Sequence, residues 1–207
     1  MKKSEGRKLV ILGVILVVID QVIKVLVKTN MGLGEHFDVI GNWFKILFIE
    51  NEGMAFGWAF GGKVGKLLLS LFRICLCGAL VWWISSLCRK NGAARAAGKA
   101  APIPAGVLVG LTLITAGAFG NIIDCLFYGL VFEPHVPFMQ GRVVDMFYFP
   151  IIDTTWPQWL PWIGGKPFTF FDPVFNFADS CVTVGAFYLI LFQWRFFSSE
   201  NKKKKEE

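Results

Sequence analysis

The sequence predicts an all-α membrane protein of four transmembrane helices, with a small extracytoplasmic β platform and an aromatic outer loop. Three observations lead there. Of 207 residues, 55% are hydrophobic and only 17% charged, with a mean hydropathy of +0.55. That balance excludes a soluble globular chain, and the excess of aromatic and branched apolar residues excludes a disordered one. The apolar residues gather into four runs, each near the ~20 residues a helix needs to cross about 30 Å of hydrocarbon. None shows barrel-like alternation, so each must satisfy its backbone as a helix. Thirteen of the 21 Lys and Arg residues fall in three short segments that four spans place on one side, the cytoplasmic side by the positive-inside rule.

The first run, residues 9–27, follows Lys2, Lys3, Arg7 and Lys8. A basic stretch before an apolar core also describes a signal peptide. Here the core meets Asp20, Gln21 and Lys24, offers no small-residue cleavage site, and resumes at Val25, so a retained span is expected. Lys24, four residues after Asp20, reads as a partner that partly neutralises it. Outer loop 28–66 opens with two β-prone stretches flanking Gly41-Asn42, a hairpin signal. Asn51-Glu-Gly-Met-Ala-Phe-Gly57 then breaks the strand.

The second run, residues 67–87, contains Cys75 and Cys77 and ends at Cys88. Two residues apart on a helix, the first two point about 200° away from each other, so they cannot share a metal and read as apolar filler. Arg89, Lys90, Arg95 and Lys99 follow on the cytoplasmic side. The third run, residues 105–123, has small-residue pairs Gly106/Gly110 and Ala116/Gly120, which predict close helix packing. Outer loop 125–177 holds eleven aromatic residues and five prolines between 147 and 177. These are interfacial anchors or, alternatively, a lid over a site that takes a lipid-bearing substrate. The fourth run, residues 178–197, leads to Arg195 and the basic tail 202–205. The net charge of +6 lies at helix flanks rather than in a groove, so nucleic acid is not an expected partner.

The chemistry is expected in the acids and amides at the outer ends of the spans, because intramembrane Asp is costly and marks function by default. Gly120-Asn121-Ile-Ile-Asp124 ends the third run and Phe175-Asn176-Phe-Ala-Asp179 opens the fourth; each has the i,i+3 spacing that puts amide and carboxylate on one helix face. Gly141-Arg142-Val-Val-Asp145 lies between them in the outer loop. Two carboxylates meeting in a poorly hydrated place share a proton, and such a pair can hydrolyse: one takes a proton from water while the other polarises a carbonyl. A proton-coupled transporter using Asp20, Asp124 and Asp179 competes with that reading. So does a scaffold that only binds lipidated peptides, and Asp179 could simply cap a helix.

With Asp20-Gln21, Asn51 to Gly57, Gly120 to Asp124, Gly141 to Asp145 and Phe175 to Ser180 in this order on four spans, the chain resembles the lipoprotein signal peptidases. These are the signal peptidase II family of bacterial membrane aspartic endopeptidases. The resemblance implies a catalytic pair, Asp145 and Asp179. It also implies that Asn51, Gly53, Asn121, Asp124, Arg142 and Asn176 support the pair or bind substrate, with Asp20 more structural. It further implies cleavage of diacylglyceryl-modified prolipoproteins just before the lipidated cysteine, without metal or cofactor. The expected protein is a single-domain monomer in the bacterial inner membrane, in contact with lipids, with both termini cytoplasmic and the site at the outer leaflet. Two departures stand out. Cys125 replaces the arginine that usually follows the Gly-Asn-x-x-Asp motif, with Arg142 a candidate to replace its charge. The two aspartates are 34 residues apart, more than the usual spacing, the surplus lying around 154–165, so the lid should differ while the site survives.

Overall fold

The computed structural model describes residues 4–52, 62–133 and 135–198. Helix α1 (Ser4–Asn30) extends the first apolar run at both ends, where Glu5, Arg7, Lys8 and Lys28, polar residues that hydropathy trims from a span, still favour helix. Strands β1 (His36–Ile40) and β2 (Phe44–Asn51) pair antiparallel about Gly41, whose positive φ makes the turn. Helix α2 (Gly62–Ala96) follows and also overruns its predicted limits of 67–87. Arg95 near its end is bonded twice to Glu5 of α1, at 2.9 and 3.1 Å. Asn91 clasps the backbone of Ile103, accepting at 2.9 Å and donating at 3.0 Å, and so ties down the connection to α3.

Helix α3 (Ala105–Ile123) has the predicted bounds and begins directly after Pro104, which cannot donate to the preceding turn. It continues without a break into a π-helical turn, Asp124–Tyr128, and a last turn, α4 (Gly129–Phe132). Strand β3 (Val143–Tyr148) is followed by the hairpin β4 (Ile152–Thr155) and β5 (Pro167–Phe170), then by β6 (Val174–Phe175) and helix α5 (Phe177–Phe192). The larger sheet has the order β1-β2-β3-β6; β4 and β5 form a separate two-stranded sheet.

The all-α expectation is therefore corrected: a four-stranded sheet is part of the fold, and β3 and β6 lie within the expected outer loop 125–177. Val143 to Met146 are buried on both faces, so β3 shows an apolar run instead of the alternation that betrays a half-exposed strand. Among the described residues three helices are long and apolar enough to cross a membrane; α5 is apolar but has only 16 residues, about 24 Å of helix. Along α1 the exposed positions are themselves apolar, Val10, Val14, Val18 and Val22 among them, a surface suited to lipid and unsuited to water.

Two cores position the site. Leu9, Leu87, Val107, Leu108, Leu111 and Leu189 join the four long helices. Val27, Phe48, Tyr128, Val144 and Met146 join the end of α1 and the π turn to one face of the sheet. Along α3 the predicted small residues work as spacers: a Cβ on Gly110 would meet Leu189 of α5 at 2.5 Å, and one on Gly120 would meet Asp20 Oδ2 of α1 at 2.5 Å.

Candidate active site

Asp145 stands on β3 between Val144 and Met146, whose side chains enter the core beneath the sheet. The pleat turns Asp145 to the opposite face. In the antiparallel register Ile49 lies opposite Asp145, and Asn51 lies opposite Val143. Asn51 is thus a diagonal neighbour on the same face, and it donates to Asp145 Oδ2 at 3.1 Å.

Asp179 reaches the same place from the start of α5. Asn176 caps that helix: its Oδ1 accepts from the Asp179 N–H at 2.9 Å, while Asp179 Oδ2 accepts from the Asn176 N–H at 3.3 Å. This reciprocal capping box fixes both side chains at once. The Asn176 amide then donates to Asp145 Oδ1 at 2.7 Å and to Asn121 Oδ1 at 3.1 Å. Asn121, near the end of α3, donates to Asp179 Oδ1 at 2.8 Å. One fully buried amide, Asn176, therefore touches both carboxylic residues.

Asp145 is 3% exposed. Burial and, next, the charge of Asp179 push its carboxyl up to about 7, against the hydrogen bonds from Asn51 and Asn176 that favour the ionised form. A carboxyl raised this far beside a second one is suited to holding a proton near neutrality.

Beneath the pair lies a layer the sequence only partly disclosed. Lys24 is fully buried and bonds Asp20 Oδ2 at 3.0 Å, Asp124 Oδ2 at 2.7 Å and Asn121 Oδ1 at 2.8 Å. Gln21 donates to Asp124 Oδ1 at 2.9 Å and accepts from Tyr128 at 3.2 Å. Asp20 Oδ1 accepts from the Ala178 N–H at 2.9 Å, where α5 leaves donors unpaired, and Asp124 Oδ2 accepts from the Val144 N–H at 3.4 Å.

Of the residues expected at the site, Asn51, Asn121, Asp145, Asn176 and Asp179 meet directly. Asp20 and Asp124 lie one residue removed, through Lys24 and Asn121. Arg142 is engaged elsewhere: it bonds Glu50 at 3.1 Å and Glu52 at 3.2 Å, with Glu133 at 3.7 Å. Burial alone would raise the Glu50 carboxyl, but Lys28 and Arg142 hold it below the ordinary range. Gly53 lies outside the described residues.

The guanidinium beside Cys125 is that of Arg73, from α2, at 3.4 Å from Sγ. Arg142 is thus not the residue that brings positive charge to that position. Sequence reading missed Arg73, and it took Lys24 for a local partner of Asp20. A cation in an apolar span was the available signal for both. Among the described residues no group of three or more His, Cys, Asp and Glu could hold a metal ion.

Comparison with known proteins bears on the same residues. A family model for signal peptidase (SPase) II matches residues 12–195. A lipoprotein signal peptidase of Porphyromonas gingivalis is 44% identical over 201 residues, covering 90% of this chain and 83% of the relative. One from Amoebophilus asiaticus is 34% identical, covering 87% and 75%. In fold, the chain is similar to a bacterial membrane enzyme solved by the in meso method, with a TM-score of 0.57 at 23% identity over 93% of this chain and 90% of that one. With a family model spanning both aspartates and relatives matched along most of their length, the chain belongs to the signal peptidase II family, the lipoprotein signal peptidases.

Proposed function

We propose that this membrane peptidase hydrolyses its substrate with Asp145 and Asp179 as the catalytic pair and a water molecule as nucleophile. The observation that carries this reading is Asn176, which donates to Asp145 Oδ1 at 2.7 Å and is locked to Asp179 by the capping box. Asp145, the carboxyl raised by burial, keeps the shared proton and donates it in a hydrogen bond to the scissile carbonyl oxygen. Asp179 takes a proton from water, and the resulting hydroxide adds to the carbonyl carbon. As the tetrahedral intermediate collapses, Asp179 returns that proton to the departing amide nitrogen. One product ends in the new carboxylate and the other begins with the new amine.

The substrate is a diacylglyceryl-modified prolipoprotein, cut just before the lipidated cysteine. The lipid would hold that cysteine at the membrane surface, where α3 ends and α5 begins. The chain crosses the bilayer four times as a monomer, α5 with the residues that follow making the last crossing. Its termini lie on the cytoplasmic side of the bacterial inner membrane, as the three basic segments require. Asn51, Asn121 and Asn176 hold the pair, with Asp20 and Asp124 beneath. The transporter reading has little support, because Asp20 and Asp124 are both held by Lys24 in one buried ion-pair cluster.

Purified protein in detergent should release the signal peptide from a diacylglyceryl-modified prolipoprotein. Asp145→Asn and Asp179→Asn should each lose about 10²–10⁴-fold of that rate while remaining folded. A folded variant that cleaves at the wild-type rate would remove its residue from the pair.

A further inference from the structure

Lys24 sits in the first helix with no side-chain exposure, and nothing in the hydrolytic step uses it. An ammonium has three N–H donors and no acceptor. Here the three are directed to three oxygens on two helices: Asp20 Oδ2 at 3.0 Å, Asp124 Oδ2 at 2.7 Å and Asn121 Oδ1 at 2.8 Å. The two carboxylates would suffice to neutralise the charge, so the third bond is the informative one. It meets the same oxygen that receives the Asn176 amide at 3.1 Å, and the other end of Asn121 donates to Asp179 Oδ1 at 2.8 Å. Were the Asn121 amide reversed, its NH2 would face two donors, one of them charged, and its oxygen would face the Asp179 carboxylate. All three contacts would become repulsive.

We infer that Lys24 is a positioning residue of the reaction: by fixing which end of the Asn121 amide faces Asp179, it sets the direction of that carboxylate towards Asp145. The inference rests on the catalytic pair proposed above. Lys24 bonds to neither aspartate of that pair; its charge lowers the Asp145 carboxyl through space, and its positional effect passes through Asn121. That route separates it from a lysine that only holds α1 against α3.

The test is a double-mutant cycle on the full-length protein in detergent, with kcat and KM measured on a diacylglyceryl-modified prolipoprotein and Tm measured alongside. Lys24→Met and Asn121→Ala should each lower kcat by about 10²-fold, the scale expected when a reacting group is misplaced, with KM unchanged. On the Asn121→Ala background, Lys24→Met should cost much less than it does alone, because the positional part of its effect acts through one amide and only its field on Asp145 is left. Lys24→Met leaves two buried carboxylates facing each other and threatens the fold. Asp20→Asn/Lys24→Met, compared with Asp20→Asn alone, removes the ammonium together with one acid and still lets position 20 accept from Ala178. Equal fold-losses from Lys24→Met with and without Asn121, or a rise in KM at constant kcat, would overturn the inference. So would failure of both Lys24 variants to fold, which would make the residue one of folding alone. Failure of the pair itself reads out separately, as undiminished cleavage by Asp145→Asn or Asp179→Asn.

Discussion

Asn176 does two things with one side chain, and its removal should be felt twice. Its Oδ1 caps α5 and its Nδ2 donates to Asp145 and Asn121, so Asn176→Ala loses a cap and leaves buried acceptors unmet. We expect a stability loss of about 1 kcal/mol from the cap alone together with a drop in kcat. Asn51 caps nothing in α5, so Asn51→Ala should lower kcat while Tm stays near wild type; equal Tm losses in the two variants would contradict this division. Asp145 also predicts a pH dependence. Its carboxyl stands near 7 in the folded protein against an ordinary value of about 4, so the folded state holds the proton more tightly than the unfolded chain does. The associated stability is complete below about pH 4 and is lost as pH rises through about 7. Activity should follow on its alkaline side, since the pair needs that proton: kcat/KM should decline with an apparent pKa near 7, a value that belongs to the pair. A profile flat to pH 9 would rule out Asp145 as the acid.

At the scale of elements, the site depends on how closely α3 approaches α1 and α5. Gly117 lies against the Ala178 carbonyl, one residue before Asp179, and a Cβ there would also meet Val182 at 2.8 Å. Gly117→Val must push α5 outward and with it the capping box, so we expect a destabilisation of ~1–3 kcal/mol and a fall in kcat. Phe187, on the outer face of the same helix, is exposed, and Phe187→Leu serves as the matched control, with Tm and kcat unchanged. The π turn at Asp124–Tyr128 is a second such device. It begins three residues after Asn121, and the Cys125 carbonyl within it accepts from the Gly141 N–H at 2.9 Å as the chain returns towards β3. Asp124, its first residue, faces Lys24 and the Val144 amide, and the widened turn re-aims the residues that follow it.

For the molecule as a whole, the hairpin of β4 and β5 is an addition tied to the larger sheet by Thr169, which bonds Tyr148 of β3. It makes its own two-stranded sheet, packs Trp156 on Phe168 with ring centroids 4.6 Å apart, and leaves Trp162 90% exposed. Among the described residues, none of the hairpin's belongs to either core or bonds to Asn121 or Asn176. Replacing residues 153–169 by a short Gly-Ser linker should therefore leave kcat and Tm in detergent close to wild type. Loss of kcat would show that the hairpin completes the site.

Composition and the four apolar runs were enough to read a membrane protein, since length and hydropathy act locally and need no partner. The bounds of α3 were legible because Pro104 marks the start and the polar Asn121-x-x-Asp124 the end of one apolar run. The pairing of Asp145 with Asp179 was open from the residues alone, with the family resemblance favouring it. Strand β3 was hidden, because a strand covered on both faces loses its alternation. Lys24 reads differently in sequence, because an i,i+4 acid explains a lysine locally while its other partners lie 97 and 100 positions away, on α3 and the π turn. Only the tertiary structure could decide these points: register, close approach at small residues and the orientation of an amide are properties of surfaces in contact, and no single segment of sequence contains both surfaces.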